Sequence, residues 1–395
     1  MLSCVEAGRP SYAYRILEEG ISDGLRFDDF SSSARSTFTG MIPPEAEEFR
    51  AEDMIDDDAA QAGGGSSTLY SDPLPQLWVR PPTCALEFDC GCLDNGDANL
   101  AAAWAAVERQ DSPVLFRGVG RHWPALHSWT LPALQESLHR GVVRVSPSPR
   151  VTFCRESHPD VQSGSLTPPS RSVIMDVTEF IERLHVGRGG RPPLLYGDDE
   201  RCYLQALAPH ALMRDVDFSF LSAAQQPPPL ETDEFDYSFD TADDNGDGSA
   251  SSVLGRLWVS APGTVSPLHY DLTDSYLCQV RGTKRLVLWP PDTSMGALDP
   301  YPPSHALARR LRTDVTTPTA HAEDGGTLSP PSDLPGAARQ EIEQMAVEAV
   351  LQPGDVLYFP ADWAHHTEAV GGAEGGAAAE PSFSLGFRTD GRYLL

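Results

Sequence analysis

The chain has 395 residues, and its 57 Asp and Glu outnumber 29 Lys and Arg to give a formal charge of −28. That balance argues against a protein held to nucleic acid through phosphates, which need clustered cations; no run of eighteen apolar residues is present to span a membrane. Length alone admits two or three domains, but the pattern argues for one large core with low-complexity additions.

Residues 1–75 carry the acidic runs Glu45-Ala-Glu-Glu48 and Asp56-Asp-Asp58, then Gly63-Gly-Gly-Ser-Ser67, with few apolar periods. This is the composition of a disordered acidic arm, and residues 76–395 are expected to form the folded domain. Glu6, Glu18 and Glu19 interrupt the first twenty residues, so no signal peptide is expected. The seven cysteines are an odd number without framework spacing. Cys84, Cys90 and Cys92 lack both a C-x-x-C pair and a second half-site for zinc, which leaves reduced thiols and a cytoplasmic or nuclear compartment.

Helical periods run over 99–109, 131–140 and 177–184, with Thr130 and Asp176 as candidate N-caps. No Lys or Arg lies between Arg214 and Arg256, and residues 224–252 read as an acidic, solvated insertion. Within it Asp243-Asp-Asn-Gly-Asp-Gly248 copies the start of a calcium loop, but Leu254 stands where a bidentate Glu is required, so a linker is the better reading. Short β-rich runs bounded by Pro and Gly follow at 254–260, 275–281, 284–289, 346–351, 355–359, 366–370 and 382–388. Gly282-Thr283 and Pro353-Gly354 mark turns. Residues 293–336, rich in Pro, Ser and Ala, read as a long insertion between strands. The predicted class is mainly β: a double-stranded β-helix (jelly-roll) with flanking N-terminal helices.

The chemistry concentrates in His269-Tyr-Asp271 and, far downstream, Pro353-Gly-Asp-Val-Leu-Tyr-Phe-Pro-Ala-Asp-Trp-Ala-His365. Residues i and i+2 of a strand share a side, so His269 and Asp271 can chelate one ion. His365 completes a two-histidine, one-carboxylate face that leaves coordination positions open, as non-haem Fe(II) oxygenases require. The surroundings carry more. LWVSAPGTVSPLHYDLTDSYLCQVRGTKRLVLWPP (257–291) and EAVLQPGDVLYFPADWAHHTEAV (348–370) resemble the JmjC (cupin-8-like) 2-oxoglutarate oxygenases. That branch holds the asparaginyl hydroxylase of hypoxia-inducible factor and the tRNA wybutosine-synthesizing hydroxylase. The resemblance spans about 112–390, including SPVLFRGVGRHWPA (112–125), MDVTEFIERL (175–184) and CYLQ (202–205).

What the resemblance implies falls on particular residues. His269, Asp271 and His365 take the iron-ligand positions, with Trp363-x-His365 selecting His365; His366 is expected at the surface or supporting the site from outside the ligand set. Lys284 takes the position of the lysine that pairs with the distal carboxylate of 2-oxoglutarate, Tyr203 and Ser266 those of hydroxyls contacting the same carboxylate, and Ser275 that of an asparagine near the cosubstrate. No catalytic side chain beyond the metal site is expected. Ser384-Leu-Gly-Phe-Arg388 departs from the family, which often has an asparagine and a Phe-Trp pair there. The implied activity is hydroxylation using Fe(II), 2-oxoglutarate and O2. A protein side chain is the favoured target over a modified tRNA base, given the acidity. The alternatives are a non-enzymatic scaffold with this barrel and a zinc or manganese cupin lacking 2-oxoglutarate.

Overall fold

The structure, a computed structural model, describes residues 68–91, 96–221, 255–316, 334–371 and 380–388. Most of the acidic arm, the 224–252 insertion with its calcium-loop-like stretch, Cys92 and residues 317–333 lie outside the described residues.

Two sheets build the domain. Strands β1 (Thr83–Cys84), β2 (Leu86–Asp89), β3 (Val114–Arg117), β4 (Arg140–Ser146), β5 (Arg171–Asp176) and β6 (Arg201–Leu207) come first. They are followed by β7 (Arg256–Ser260), β8 (Val265–Tyr270), β9 (Ser275–Arg281), β10 (Thr283–Trp289), β11 (Val347–Leu351), β12 (Val356–Phe359), β13 (Ala364–Val370) and β14 (Ser382–Arg388). The smaller sheet has the order β1-β11-β10-β13-β8, and the larger runs β2-β3-β12-β9-β14-β7-β6-β4-β5. Consecutive strands from β7 onward alternate mainly between the sheets, and this interleaving is the jelly-roll.

The period-2 alternation of each strand decides what fills the barrel. On the smaller sheet Leu286 and Leu288 face inward and pack with Leu115, Leu357 and Phe359 of the larger sheet. Burying each of these is worth about 2 kcal/mol. The opposite face of the larger sheet, with Val143, Leu204, Val259, Tyr276, Cys278 and Phe383, packs under the helices α1 (Gly96–Val107) and α3 (Val177–Arg183). Gly282 supplies the φ of +69° for the turn from β9 to β10.

The predicted helices are present, with α2 at Leu131–Ser137. Thr130 caps α2, its hydroxyl accepting from the Ala133 N–H at 3.3 Å. Asp176 stands at the N-cap of α3 without capping it: its carboxylate accepts from Arg140 Nε at 3.0 Å instead. Strands β1 to β6 and the start of β8 exceed the sequence expectation. Their runs mix charged and apolar residues, and only sheet pairing reveals them.

The connection after β10 is long but returns to the barrel. Leu298, Leu311 and Val315 are buried in a second core with Leu268, Tyr270 and Trp289. Residues 309–311 lie antiparallel against the end of β8, with Tyr270 N–H donating to the Arg309 carbonyl at 3.1 Å and Leu311 N–H to that of Leu268 at 3.3 Å. Among the described residues no helix is long and apolar enough to cross a membrane.

Candidate active site

Strand pairing brings the two segments singled out in the sequence side by side. β8 and β13 are antiparallel neighbours with His269 opposite His365, and the imidazole centroids are 4.1 Å apart. His269 Nδ1 donates to the Pro267 carbonyl at 2.8 Å and His365 Nδ1 to that of Trp363 at 3.1 Å. A carbonyl can only accept, so each Nδ1 carries a proton and Nε2 is the nitrogen left for a metal, the orientation a ligating imidazole needs. Burial, His365 and Arg310 together push His269 well below the usual imidazole range, and so keep it neutral.

Asp271 lies two residues beyond His269, where the strand ends. Its Oδ1 is 3.9 Å from Arg309 Nη1, and its carbonyl accepts the Asp362 N–H at 2.8 Å. As placed, no group of three His, Cys, Asp or Glu side chains among the described residues is gathered tightly enough to hold a metal. The donor chemistry nonetheless fits one: two imidazoles with Nδ1 tied to carbonyls and Nε2 left over, with a carboxylate two residues from the first, are the set that takes Fe(II). Arg309 at φ +66° and Asp362 at φ +65° flank the site, and non-glycine residues in this region store strain that clusters where function demands a fixed geometry.

Deeper in the barrel lies Lys284, only 4% exposed. It pairs in register with Ala369, and by alternation it shares the inward face with Leu286 and Leu288. Burial alone lowers its ammonium to about 7, with no charged group among the causes. Across the interior Tyr203, on the larger sheet, is hydrogen-bonded to Ser266 on the smaller one, and burial raises its phenol. Thr367 of β13 stands between Leu286 and Ser266 in register, so Lys284, Tyr203 and Ser266 line one interior. Ser275 is buried but donates to its own loop, at Thr273 O, 3.2 Å. Ser384, at the departure from the family pattern, donates to Gln279 Oε1 at 2.7 Å, while Gln279 Nε2 donates to Ser382 Oγ and the Arg281 and Gly282 carbonyls. This network satisfies the inner wall of β14 without an asparagine.

His366 is not at the surface. It is 1% exposed on the outer face of the smaller sheet, 3.1 Å from Glu368 Oε1. Arg285 ties Glu368 to Glu348, at 3.2 and 2.7 Å. Burial raises the Glu368 carboxyl, but His366 and Arg285 more than offset it, and the net shift is downward.

Two short basic runs in the sequence, Arg117 to Arg121 and Arg309-Arg-Leu-Arg312, which could have made local cationic patches, disperse into separate contacts. Arg117 pairs with Glu87 and Asp355, Arg312 with Asp299, and Arg310 is buried.

Other groups at the barrel mouth went unnoticed in the sequence. Arg144, opposite Tyr203 in the β4–β6 register, and Arg310, opposite His269, both stand over the Phe153 ring, at 4.5 and 5.0 Å. Burial, followed by Arg309, lowers Arg310 to about 9, so it stays cationic at neutral pH. Gln205 sits two residues from Tyr203 on the same face. For Arg144 and Gln205 a polar residue inside an apolar strand was the available signal; Arg310 showed only as part of a short basic run, because its segment looked like a linker.

A family profile described as Cupin-like domain matches residues 101–379. The chain is 26% identical over 337 residues to Jumonji C domain-containing protein 5 of Drosophila melanogaster, covering 85% of this chain and 66% of that one. It is 28% identical over 254 residues to tRNA wybutosine-synthesizing protein 5 of Danio rerio, covering 62% of each. It is also 25% identical over 280 residues to the human bifunctional peptidase and (3S)-lysyl hydroxylase JMJD7, covering 67% of this chain and 75% of that protein. The chain thus spans about two thirds of the length of the first two.

Proposed function

From the premise that the chain belongs to the cupin-like JmjC family, we propose that it is an Fe(II)- and 2-oxoglutarate-dependent oxygenase that hydroxylates a protein side chain. The observation that carries this is Lys284: an amine buried inside the barrel, with no charged group shifting its titration, facing the same interior as the Tyr203–Ser266 pair. A buried cation without a counter-ion is costly, and a site kept only for structure gives no reason for it. A bound dicarboxylate does, because its distal carboxylate neutralises the ammonium and accepts from the hydroxyls.

His269, His365 and Asp271 would hold the metal. Iron bound there, with 2-oxoglutarate and O2, supplies the oxidation of a substrate C–H to C–OH as 2-oxoglutarate becomes succinate and CO2. The chain's own residues do the remaining work. Pro267 and Trp363 carbonyls fix both imidazole tautomers. Lys284, Tyr203 and Ser266 orient the cosubstrate, and the apolar wall of Leu286, Leu288 and Phe359 excludes water from its far end. Protein is favoured over tRNA as target by the charge of −28 and by the dispersal of the two basic clusters.

The test is anaerobic titration of the Fe(II)-loaded chain with 2-oxoglutarate, watching for the visible charge-transfer band of the chelate. A band present in the wild type and absent in His269→Ala and Lys284→Ala is the expected result. Bound iron without a band would move the reading to a cupin that does not use 2-oxoglutarate.

A further inference from the structure

We propose that Arg144 and Arg310, with Gln205, form a subsite at the barrel mouth that takes a carboxylate side chain, so that the substrate is an Asp- or Glu-bearing protein segment. The inference rests on the reading above, that this barrel mouth receives the substrate.

Four observations support it. First, both guanidiniums are nine-tenths buried, at 8% exposure each, in a chain whose overall charge is strongly negative. Second, their counter-charges are incomplete. Arg144 meets Glu156 only at 3.5 Å, and the same Glu156 oxygen accepts the Ser172 N–H at 2.6 Å. Arg310 Nε donates to the Phe153 carbonyl at 3.2 Å, and the nearby carboxylate, Asp271, belongs to the metal set. Third, the unsatisfied groups are donors. Arg144 Nε and Gln205 Nε2 are buried without a hydrogen-bond partner among the described residues. An orphaned buried donor is costly and calls for an acceptor, and carboxylate is the acceptor a guanidinium fits best. Fourth, the place is right. The register sets Arg144 beside Tyr203 and Arg310 beside His269, so the pair adjoins both the cosubstrate clamp and the metal ligands.

The same geometry disfavours other substrates. A lysyl or arginyl side chain would bring a third cation against two in a low-dielectric site. This is unlike what the name of the human (3S)-lysyl hydroxylase says of that protein. A nucleobase would need an open aromatic face on which to stack. Phe153 is covered by both guanidiniums, and Trp258 is stacked by Tyr203 with centroids 5.6 Å apart and approached by Arg256 at 5.8 Å.

The experiment uses pools of capped nonapeptides with randomised flanks and a central Asp, Glu, Asn, Lys or Arg. They are passed over the immobilised full chain with and without Mn(II) and 2-oxoglutarate, and a bulk tRNA mixture is run alongside. The Asp and Glu pools are expected to be retained about tenfold above the Lys and Arg pools, a ratio suited to charge selection at a desolvated site. Arg144→Gln and Arg310→Gln should each abolish most of that preference, and Arg144→Lys should restore part of it. Thermal midpoints within a few degrees of wild type show that the variants fold. Retention of the Lys or Arg pools, equal or no retention of all pools, indifference to the substitutions, or retention of tRNA in place of peptide overturns the proposal. So does an Arg144→Gln variant that loses 2-oxoglutarate affinity instead, since the pair would then serve the cosubstrate. Acid preference in a chain that fails to bind Mn(II) or 2-oxoglutarate would refute the oxygenase reading and with it the claim about its substrate, leaving only a carboxylate-binding subsite.

Discussion

Replacing Lys284 by Met keeps a flexible apolar stem and removes the buried ammonium. In the ligand-free protein this should raise stability, because burial holds the amine near 7 against an ordinary 10.5. One pH unit of displacement is about 1.4 kcal/mol, so at pH 7 the wild type carries a cost of about 4 kcal/mol that the variant lacks. For a domain of this size that is roughly a 6 °C higher thermal midpoint. The sign with pH follows from the direction of the shift. The folded value lies below the unfolded one, so the cost is complete below pH 7 and shrinks as pH rises toward 10.5. The assay is thermal unfolding of wild type and Lys284→Met between pH 6 and 10, with and without 2-oxoglutarate. The variant should lead most at low pH, the gap should close on the alkaline side, and 2-oxoglutarate should stabilise the wild type alone. A variant less stable than wild type at every pH, or a gap that ignores pH, would refute the argument that Lys284 is an uncompensated cation awaiting a carboxylate.

Other perturbations separate binding from architecture. His365→Ala should abolish Mn(II) binding in calorimetry at little cost in thermal midpoint, whereas His366→Ala should leave Mn(II) binding intact and lower stability by about 2 kcal/mol, because Glu368 loses one buried hydrogen-bond partner and keeps Arg285. Glu368→Gln should destabilise by a similar amount, about 2–4 kcal/mol, with 2-oxoglutarate affinity unchanged. In the wild type the Glu368 contribution is present above pH 4.5 and is lost as pH falls through its lowered folded value, which acid titration of the two proteins should show. At Gly263, where φ is +86°, a Cβ would lie 2.1 Å from the Asp72 carbonyl. Gly263→Ala should therefore dislodge the strap at 68–72, read as faster proteolysis there and a loss of about 2 kcal/mol.

Much of this molecule can be read from its local patterns. The short Pro- and Gly-bounded runs after residue 254 become β7 and β9 to β14, because alternation and turn residues act over a few positions. The triad candidates and Lys284 could be nominated for the same reason: His269 and Asp271 are two apart at the end of β8, and the resemblance is carried by continuous segments. What the sequence left open depends on which strands become neighbours. His366 and His365 are adjacent in the chain, yet pairing with β10 buries one in an ion network and turns the other toward His269. Asp271 shares the spacing of a ligand, but its carboxylate lies toward Arg309, because the returning 309–311 segment packs on the end of β8. Arg144, Gln205 and Arg310 come from a strand, its neighbour and a linker-like segment separated by up to 166 positions. No local period reports their meeting. Alternation along the chain decides which side of a strand a residue occupies; only the closed sheet decides what stands opposite it, and here that is two arginines over one aromatic ring.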